Sequence, residues 1–206
     1  MDWYEWFQKQ QSVSTMKTEN VGLAHVSGWG MYSESFRRPD ERFFEIAGVR
    51  VKTAGRELDE WYQPLLRESS DGVVLLLHRR NRREFLVQAK AEPGNDALGC
   101  VLLAPTFQAS RHNMQQVHGG LQPMGMEFVD PVKESSFTKL PADGSRYFRK
   151  EVLGVVVSMD FVEGITIPPH HRWFTVDELR AAFVLGLCNP HLRDLLVLAA
   201  FSDVRF

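Results

Sequence analysis

Phe85-Leu86-Val87-Gln88-Ala89-Lys90-Ala91-Glu92-Pro93-Gly94-Asn95, followed by Ala104-Pro105-Thr106-Phe107-Gln108-Ala109-Ser110-Arg111-His112-Asn113, is the stretch on which the fold turns. Alternate residues of a β-strand share a face. Gln88, Lys90 and Glu92 therefore point one way and Phe85, Val87 and Ala89 the other, while Thr106, Gln108 and Ser110 likewise share a face. Pro93-Gly94-Asn95-Asp96 supplies turn residues between the runs, so the two are expected to pair as antiparallel neighbours. The product is a sheet face bearing an amine, a carboxylate, carboxamides and hydroxyls. A solvated face mixes the same residue types, so spacing alone leaves both readings open.

Outward from this stretch, Arg42 to Lys52 alternates around Gly48 and reads as a strand. In Gly55 to Leu66, Pro64 stops any helix by Gln63. Ser69-Ser70-Asp71-Gly72 is a turn, Val73 to Leu77 an apolar strand, and Arg79 to Arg83 a charged hairpin loop. Trp3 to Gln11 reads as a short aromatic helix, and Ser12 to Pro39 as loop with short extended pieces. Downstream, Arg146 to Glu151 and Gly154 to Met159 read as two strands. Thr175-Val176-Asp177-Glu178 is a capping box that starts a helix running to about Leu185. Asn189-Pro190 opens a second helix, striped by Leu192, Leu195, Leu196 and Ala199. Many strands followed by two C-terminal helices predict an α+β fold with a mixed or antiparallel sheet and flanking helices. One domain is expected over residues 1–206: an N-terminal helix and loops over 1–40, a sheet core over 41–160, and C-terminal helices over 172–206.

A length of 206 residues, 44% hydrophobic and 24% charged, is ordinary for a soluble globular chain. The net charge of −2 gives no reason to expect nucleic acid or a membrane as partner, and no apolar run is long enough to span a bilayer. Met1-Asp2-Trp3-Tyr4-Glu5-Trp6-Phe7 is acidic and aromatic, the opposite of a basic secretion signal. Cys100 and Cys188 fit neither a disulfide framework nor a zinc site. A cytoplasmic protein with reduced thiols is expected.

Neither a nucleophile elbow, a phosphate-binding loop nor a dinucleotide fingerprint is present. His112, His118, His170 and His171 have no recognised ligand spacing, and no metal is expected. Arg79 to Arg83 suits either phosphate or a solvated hairpin tip. Arg111, Arg146, Arg149 and Lys150 lie near ends of predicted strands, where guanidinium groups would suit a diphosphate. On a strand, Arg146 and Lys150 share a face and Arg149 takes the other.

Taken together, these segments resemble the sugar 2,3-dehydratases of deoxysugar and antibiotic biosynthesis. The resemblance runs from Arg42-Phe43-Phe44, Gly48-Val49-Arg50-Val51 and Trp61-Tyr62-Gln63-Pro64-Leu65 to His118-Gly119. It is strongest at Leu86 to Asn95 and Ala104 to Ala109, and looser over Arg172 to Ala200. Pro141-Ala142-Asp143-Gly144-Ser145 departs from the acidic segment typical of the family, keeping Gly144, Phe148 and Lys150 around it. The resemblance implies a Nudix-like fold without the glutamate-rich hydrolase signature, and so no cofactor. It also implies a nucleotide-sugar substrate, expected to be dTDP-linked, whose product passes to a ketoreductase. Family members carry two copies of the unit in a chain. One copy is visible here, so a homodimer is expected, seated on Trp3-Tyr4-Trp6-Phe7 and Leu192 to Leu198.

In such a reaction a 4-ketone acidifies the C3 hydrogen, a base removes it, and the C2 hydroxyl leaves with help from an acid. Glu92 is the candidate base or acid, with Lys90 holding it ionised or stabilising the enolate. His118 is the alternative proton carrier. Gln63, Gln88, Asn95, Thr106, Gln108 and Asn113 are expected to orient sugar and base, and Arg111, Arg146 and Lys150 to face the diphosphate. Two alternatives stay open: a non-catalytic nucleotide-sugar-binding module, and a dehydratase of a different small molecule.

Overall fold

A computed structural model describes residues 1–40, 43–68, 71–117, 119–159 and 166–202. His118, Arg42, and Ser69-Ser70 of the expected turn lie outside the described residues. The chain is α+β, with two sheets and helices packed on the larger one.

Helix α1, Trp3–Val13, is closed at its start by a capping box in which Asp2 and Glu5 satisfy each other's backbone N–H groups. It buries Trp6 and Phe7. Strands β1 (Gly30–Tyr32), β2 (Ser35–Arg37), β3 (Glu45–Lys52) and β4 (Glu60–Arg67) then form an antiparallel sheet in that order. Proline lacks the N–H a central strand needs, and Pro64 is accommodated because β4 is an edge strand, where it pairs with Gly48.

The second sheet contains β5 (Gly72–Arg79), β6 (Glu84–Ala91), β7 (Val101–Ala104), β8 (Phe107–Ser110), β9 (Thr138–Pro141), β10 (Glu151–Met159) and β11 (His171–Thr175). Its order is β11-β6-β5-β10-β9, with β7 on β6 and β8 on β5. Among the described strands of this sheet, only β5 and β10 pair in parallel, from Gly72↔Val152 to Arg79↔Met159. β5 is buried on both faces, which explains its unbroken apolar run. Val74 and Leu76 face a layer that includes Phe7, Phe85, Phe174, Leu192 and Leu195; Val73, Leu75 and Leu77 face Phe107, Phe128 and Val155. Each fully buried large apolar side chain contributes roughly 1.5–3 kcal/mol.

The central pair of strands forms a fork. β5 and β6 pair only at Leu77↔Leu86, His78↔Phe85 and Arg79↔Glu84. Beyond that they part, and the chain 101–110 fills the gap. β7 follows β6, with Gln88↔Ala104 through Ala91↔Val101. At Pro105-Thr106 the chain crosses over, and β8 follows β5, with Leu75↔Phe107 through Gly72↔Ser110. The expected pairing of the two runs is therefore corrected: of the run from Ala104 to Asn113 only Ala104 pairs with β6, residues 101–103 ahead of it complete that pairing, and Phe107–Ser110 pair with β5 instead. Thr106 sits at the crotch, fully buried, where its hydroxyl accepts the Leu77 N–H at 2.9 Å and donates to the Leu86 carbonyl.

Three further readings are corrected. Arg146 to Lys150 is not a strand but a turn region with Arg149 at φ 55°, so β10 is one strand and its neighbour β9 was not foreseen. The stretch 172–175 belongs to β11 rather than to the C-terminal helices. Trp6, Phe7, Leu192 and Leu195 are core residues and offer no surplus surface for a partner. The capped helices are as expected: α4 is Val176–Val184 behind Thr175, and α5 is Pro190–Phe201 behind Asn189. Two short helices, α2 (Arg111–Met114) and α3 (Met126–Val129), lie between β8 and β9.

Candidate functional site

Where the tines of the fork diverge, polar side chains from β6, β8 and the start of α5 meet. Lys90 Nζ donates to the Gln108 backbone carbonyl at 2.7 Å. Gln108 Nε2 donates to Glu92 Oε1 at 2.7 Å. Asn189 Nδ2 donates to Gln108 Oε1 at 2.8 Å and to Glu92 Oε2 at 3.2 Å. Deeper in, Gln88 Nε2 donates to the Pro105 and Thr106 carbonyls, and His171 Nε2 donates to the Thr106 carbonyl at 2.8 Å. A carbonyl can only accept, so that contact fixes the proton on Nε2 and leaves the buried Nδ1 without a partner among the described residues.

This cluster borders a cavity of about 750 Å³, within the range of small-molecule sites. Gln88, Lys90, Gln108, Asn113 and His170 line one part of it. The end of α1 and the segment Ser14 to Lys17 line another. That segment is held by Gly99: Ser14 Oγ donates to the Gly99 carbonyl at 2.7 Å. Gly99 has φ +60°, and a Cβ there would lie 2.7 Å from both the Gln11 carbonyl oxygen and Ser14 Cβ, so the docking requires glycine.

Burial lowers the Lys90 pKa from the usual lysine range, with the Glu92 carboxylate partly opposing it. His170, on the cavity wall, is lowered by burial. His171 is pushed down to about 4 by burial, against the opposing hydrogen bond to Thr106. His191, on the first turn of α5, is lowered by burial, which outweighs the fields of Glu92 and Asp194.

Of the residues singled out from sequence, Gln88, Lys90, Gln108 and Asn113 come together on the cavity wall. Glu92 lies behind Gln108, both carboxylate oxygens accepting amide hydrogens. Thr106 is consumed within the fork. Asn95 ties its own loop, donating to the Cys100 carbonyl at 3.0 Å. Gln63 sits in the other sheet, accepting from Trp61 Nε1 at 2.7 Å. Arg111 is exposed at the start of α2, Arg146 is exposed and pairs with Asp143, and Lys150 pairs with Glu68. None of these last six lines the cavity. His118 lies outside the described residues. Asn189 and His170 were missed as site residues. The Asn-Pro cap announces the use of Oδ1 at 189, but no local pattern says where Nδ2 goes. Among the described residues, no group of three or more His, Cys, Asp or Glu side chains is placed to hold a metal ion.

A mixed sheet with an amide- and amine-lined cavity at its split has the form of a candidate small-molecule site, and sequence comparison gives the family of the chain. The sequence model of the NDP-hexose 2,3-dehydratase family matches residues 1–198. The chain belongs to that family. It is similar to a dTDP-4-dehydro-6-deoxy-alpha-D-glucopyranose 2,3-dehydratase of Amycolatopsis orientalis, 30% identical over 85% of this chain and 38% of the relative. A protein of the same name from Saccharopolyspora spinosa is 25% identical over 96% of this chain and 42% of its own length. A third, from Streptomyces violaceoruber, is 31% identical over 57% of this chain. The chain thus spans well under half the length of the curated relatives it matches.

Proposed function

We propose that this chain removes water across C2 and C3 of a nucleotide-linked 4-keto-6-deoxyhexose. The observation that carries this reading is the convergence of Lys90, Gln88, Gln108 and His170 on one cavity in a chain of the NDP-hexose 2,3-dehydratase family. The names of the relatives favour a dTDP-linked sugar as substrate. In the proposed sequence, a base takes the C3 proton and the electron pair forms an enolate on the C4 oxygen. The pair then expels the C2 hydroxyl, which leaves as water with the proton the base has taken up, and the resulting C3 enol loses its hydroxyl proton and gains one at C2 to become a 3,4-diketone. No redox cofactor is required.

His170, lowered by burial and so largely neutral near pH 7, is suited to take the C3 proton. Lys90 and Gln108 carry donors for the developing enolate oxygen, where preorganised donors contribute most. Glu92 supports both: it accepts from Gln108 and its charge favours the Lys90 ammonium. Lys17, which also lines the cavity, is a cation available to a diphosphate. A 3,4-diketo product calls for reduction, which supports hand-over to a ketoreductase. Two buried free thiols suit a reducing cytoplasm. A homodimer is favoured by exposed apolar residues on α4, its C-cap and α5: Phe183, Val184, Leu185, Val197 and Phe201.

The test is incubation with dTDP-4-keto-6-deoxyglucose, following loss of one water by mass spectrometry. Lys90→Met and His170→Gln are each expected to lower turnover by ~100-fold or more while dTDP binding persists. Tight binding of the sugar nucleotide without any loss of water would overturn the reading in favour of a binding module.

A further inference from the structure

Asn189 is 1% exposed, and its amide serves three partners at once. Oδ1 accepts the Leu192 N–H at 2.9 Å and caps α5. The two Nδ2 hydrogens go to Gln108 Oε1 and Glu92 Oε2. Its backbone N–H donates to the Leu103 carbonyl at 2.8 Å, which fixes the residue against β7. The cap explains only the first of these. Serine or aspartate would cap α5 as well; the Nδ2 contacts are specific to asparagine.

Those contacts decide how Gln108 is turned. A glutamine amide can show a ligand either its oxygen or its NH₂ group, and the hydrogen-bond network selects between the two. Here Asn189 holds Oε1 and Glu92 takes one Nε2 hydrogen. Among the described residues the second Nε2 hydrogen has no acceptor and is open to a cavity occupant, while Lys90 anchors the Gln108 backbone carbonyl. We infer that Asn189 is a positioning residue that fixes Gln108 as a hydrogen-bond donor toward the carbonyl oxygen of a bound keto-sugar. The inference rests on the dehydratase reading and adds the group that orients its enolate-stabilising donor.

The test uses the full chain with Asn189→Ser and Asn189→Asp. Both keep an oxygen for the Leu192 N–H, and both lose the Nδ2 donors. Aspartate also sets a carboxylate against Glu92 and favours the opposite turn of Gln108. Protection of the Leu192 amide from hydrogen exchange reports that the cap survives. With it intact, kcat is expected to fall ~10-fold or more for serine and further for aspartate, with KM changed by less than about 3-fold. In the same samples, ¹⁵N NMR of the Gln108 side chain is expected to show Nε2 proton shifts dispersed from random-coil values and a high order parameter in the parent, and random-coil shifts with a low order parameter in the variants; slow C–N rotation keeps the two protons distinct in both. The NMR arm needs no turnover. If the parent fails to dehydrate but the Gln108 amide loosens in the variants, the function falls and the orientation of Gln108 by Asn189 stands. If the parent is active and Asn189→Ser keeps both its kcat and a fixed Gln108 amide, Asn189 is a helix cap alone and the inference is overturned.

Discussion

Thr106 shows how a single hydroxyl can hold a sheet together. The Leu77 N–H has Thr106 Oγ1 as its acceptor at the point where β5 and β6 part. Thr106→Val keeps the volume and leaves that buried donor unpaired, at a cost of about 1–3 kcal/mol. Thr106→Ser keeps the bonds and is expected to cost less. Chemical denaturation of the two variants checks the difference. Alternation placed Gln88, Lys90 and Gln108 on one polar front, and the cavity wall agrees for all three. It also placed Thr106 there, wrongly, because period-two spacing does not register a crossover between strands. Glu92 and Asn189 illustrate the same boundary: their roles depend on each other across 97 residues, a distance no local pattern spans.

His171 gives a pH prediction. Its folded pKa of about 4 is below the ordinary 6.5, so the unfolded chain binds the proton more tightly. Stability from this group is full above pH 6.5 and is lost as pH falls towards about 4, at about 1.4 kcal/mol for each pH unit. His78 and His170, also lowered by burial, act in the same direction. Thermal melts should fall between pH 6.5 and 4, and His171→Gln should flatten part of that slope, since glutamine can still donate to the Thr106 carbonyl.

Among the elements, α1 depends for its placement on the close approach of another segment's backbone. Its C-terminal turn rests on Gly99, where no side chain fits. Gly99→Ala combines a left-handed backbone with two close contacts and is expected to cost about 2 kcal/mol or more. The cavity wall formed by Ser14 to Lys17 moves with it, so nucleotide-sugar affinity should fall as well. Calorimetry on the variant checks both effects, and an unchanged affinity would detach α1 from the site. The two C-terminal helices were legible because their ends carry chemistry: Thr175 with Glu178 and Asn189 with Pro190 each announce a start; α1 was read from its aromatic residues, and its Asp2–Glu5 capping box was not. β9 and β11 were not. They are short, and their pairing to β10 and β6 reaches over long stretches of chain. Arg146 to Lys150 misled because its paired aromatics, Tyr147 and Phe148, favour a strand, while Arg149 adopts a positive φ that a regular strand does not take.

At the level of the whole molecule, Trp6, Phe7, Leu192 and Leu195 of the surface expected from sequence lie in the core, Tyr4 and Val197 of it are exposed, and further apolar residues are exposed at the end of α4 and on α5. Phe183, Val184 and Leu185 end α4, and Val197 and Phe201 lie on α5. If these form the dimer contact, light scattering should give twice the 23.6 kDa chain mass, and Phe183→Glu should return the monomer. A parent that is monomeric at micromolar concentration would remove the dimer and leave the proposed chemistry in place.

The fork has a mechanical meaning as well. Lys90 rides on β6 and Gln108 on β8, which is bonded to β5, so the two halves of the polar wall belong to different prongs of one sheet. A molecule gripping both would act as a rivet across the split, drawing the prongs together in proportion to how tightly it is held. The recognition step and the sheet's resistance to unzipping are then a single quantity.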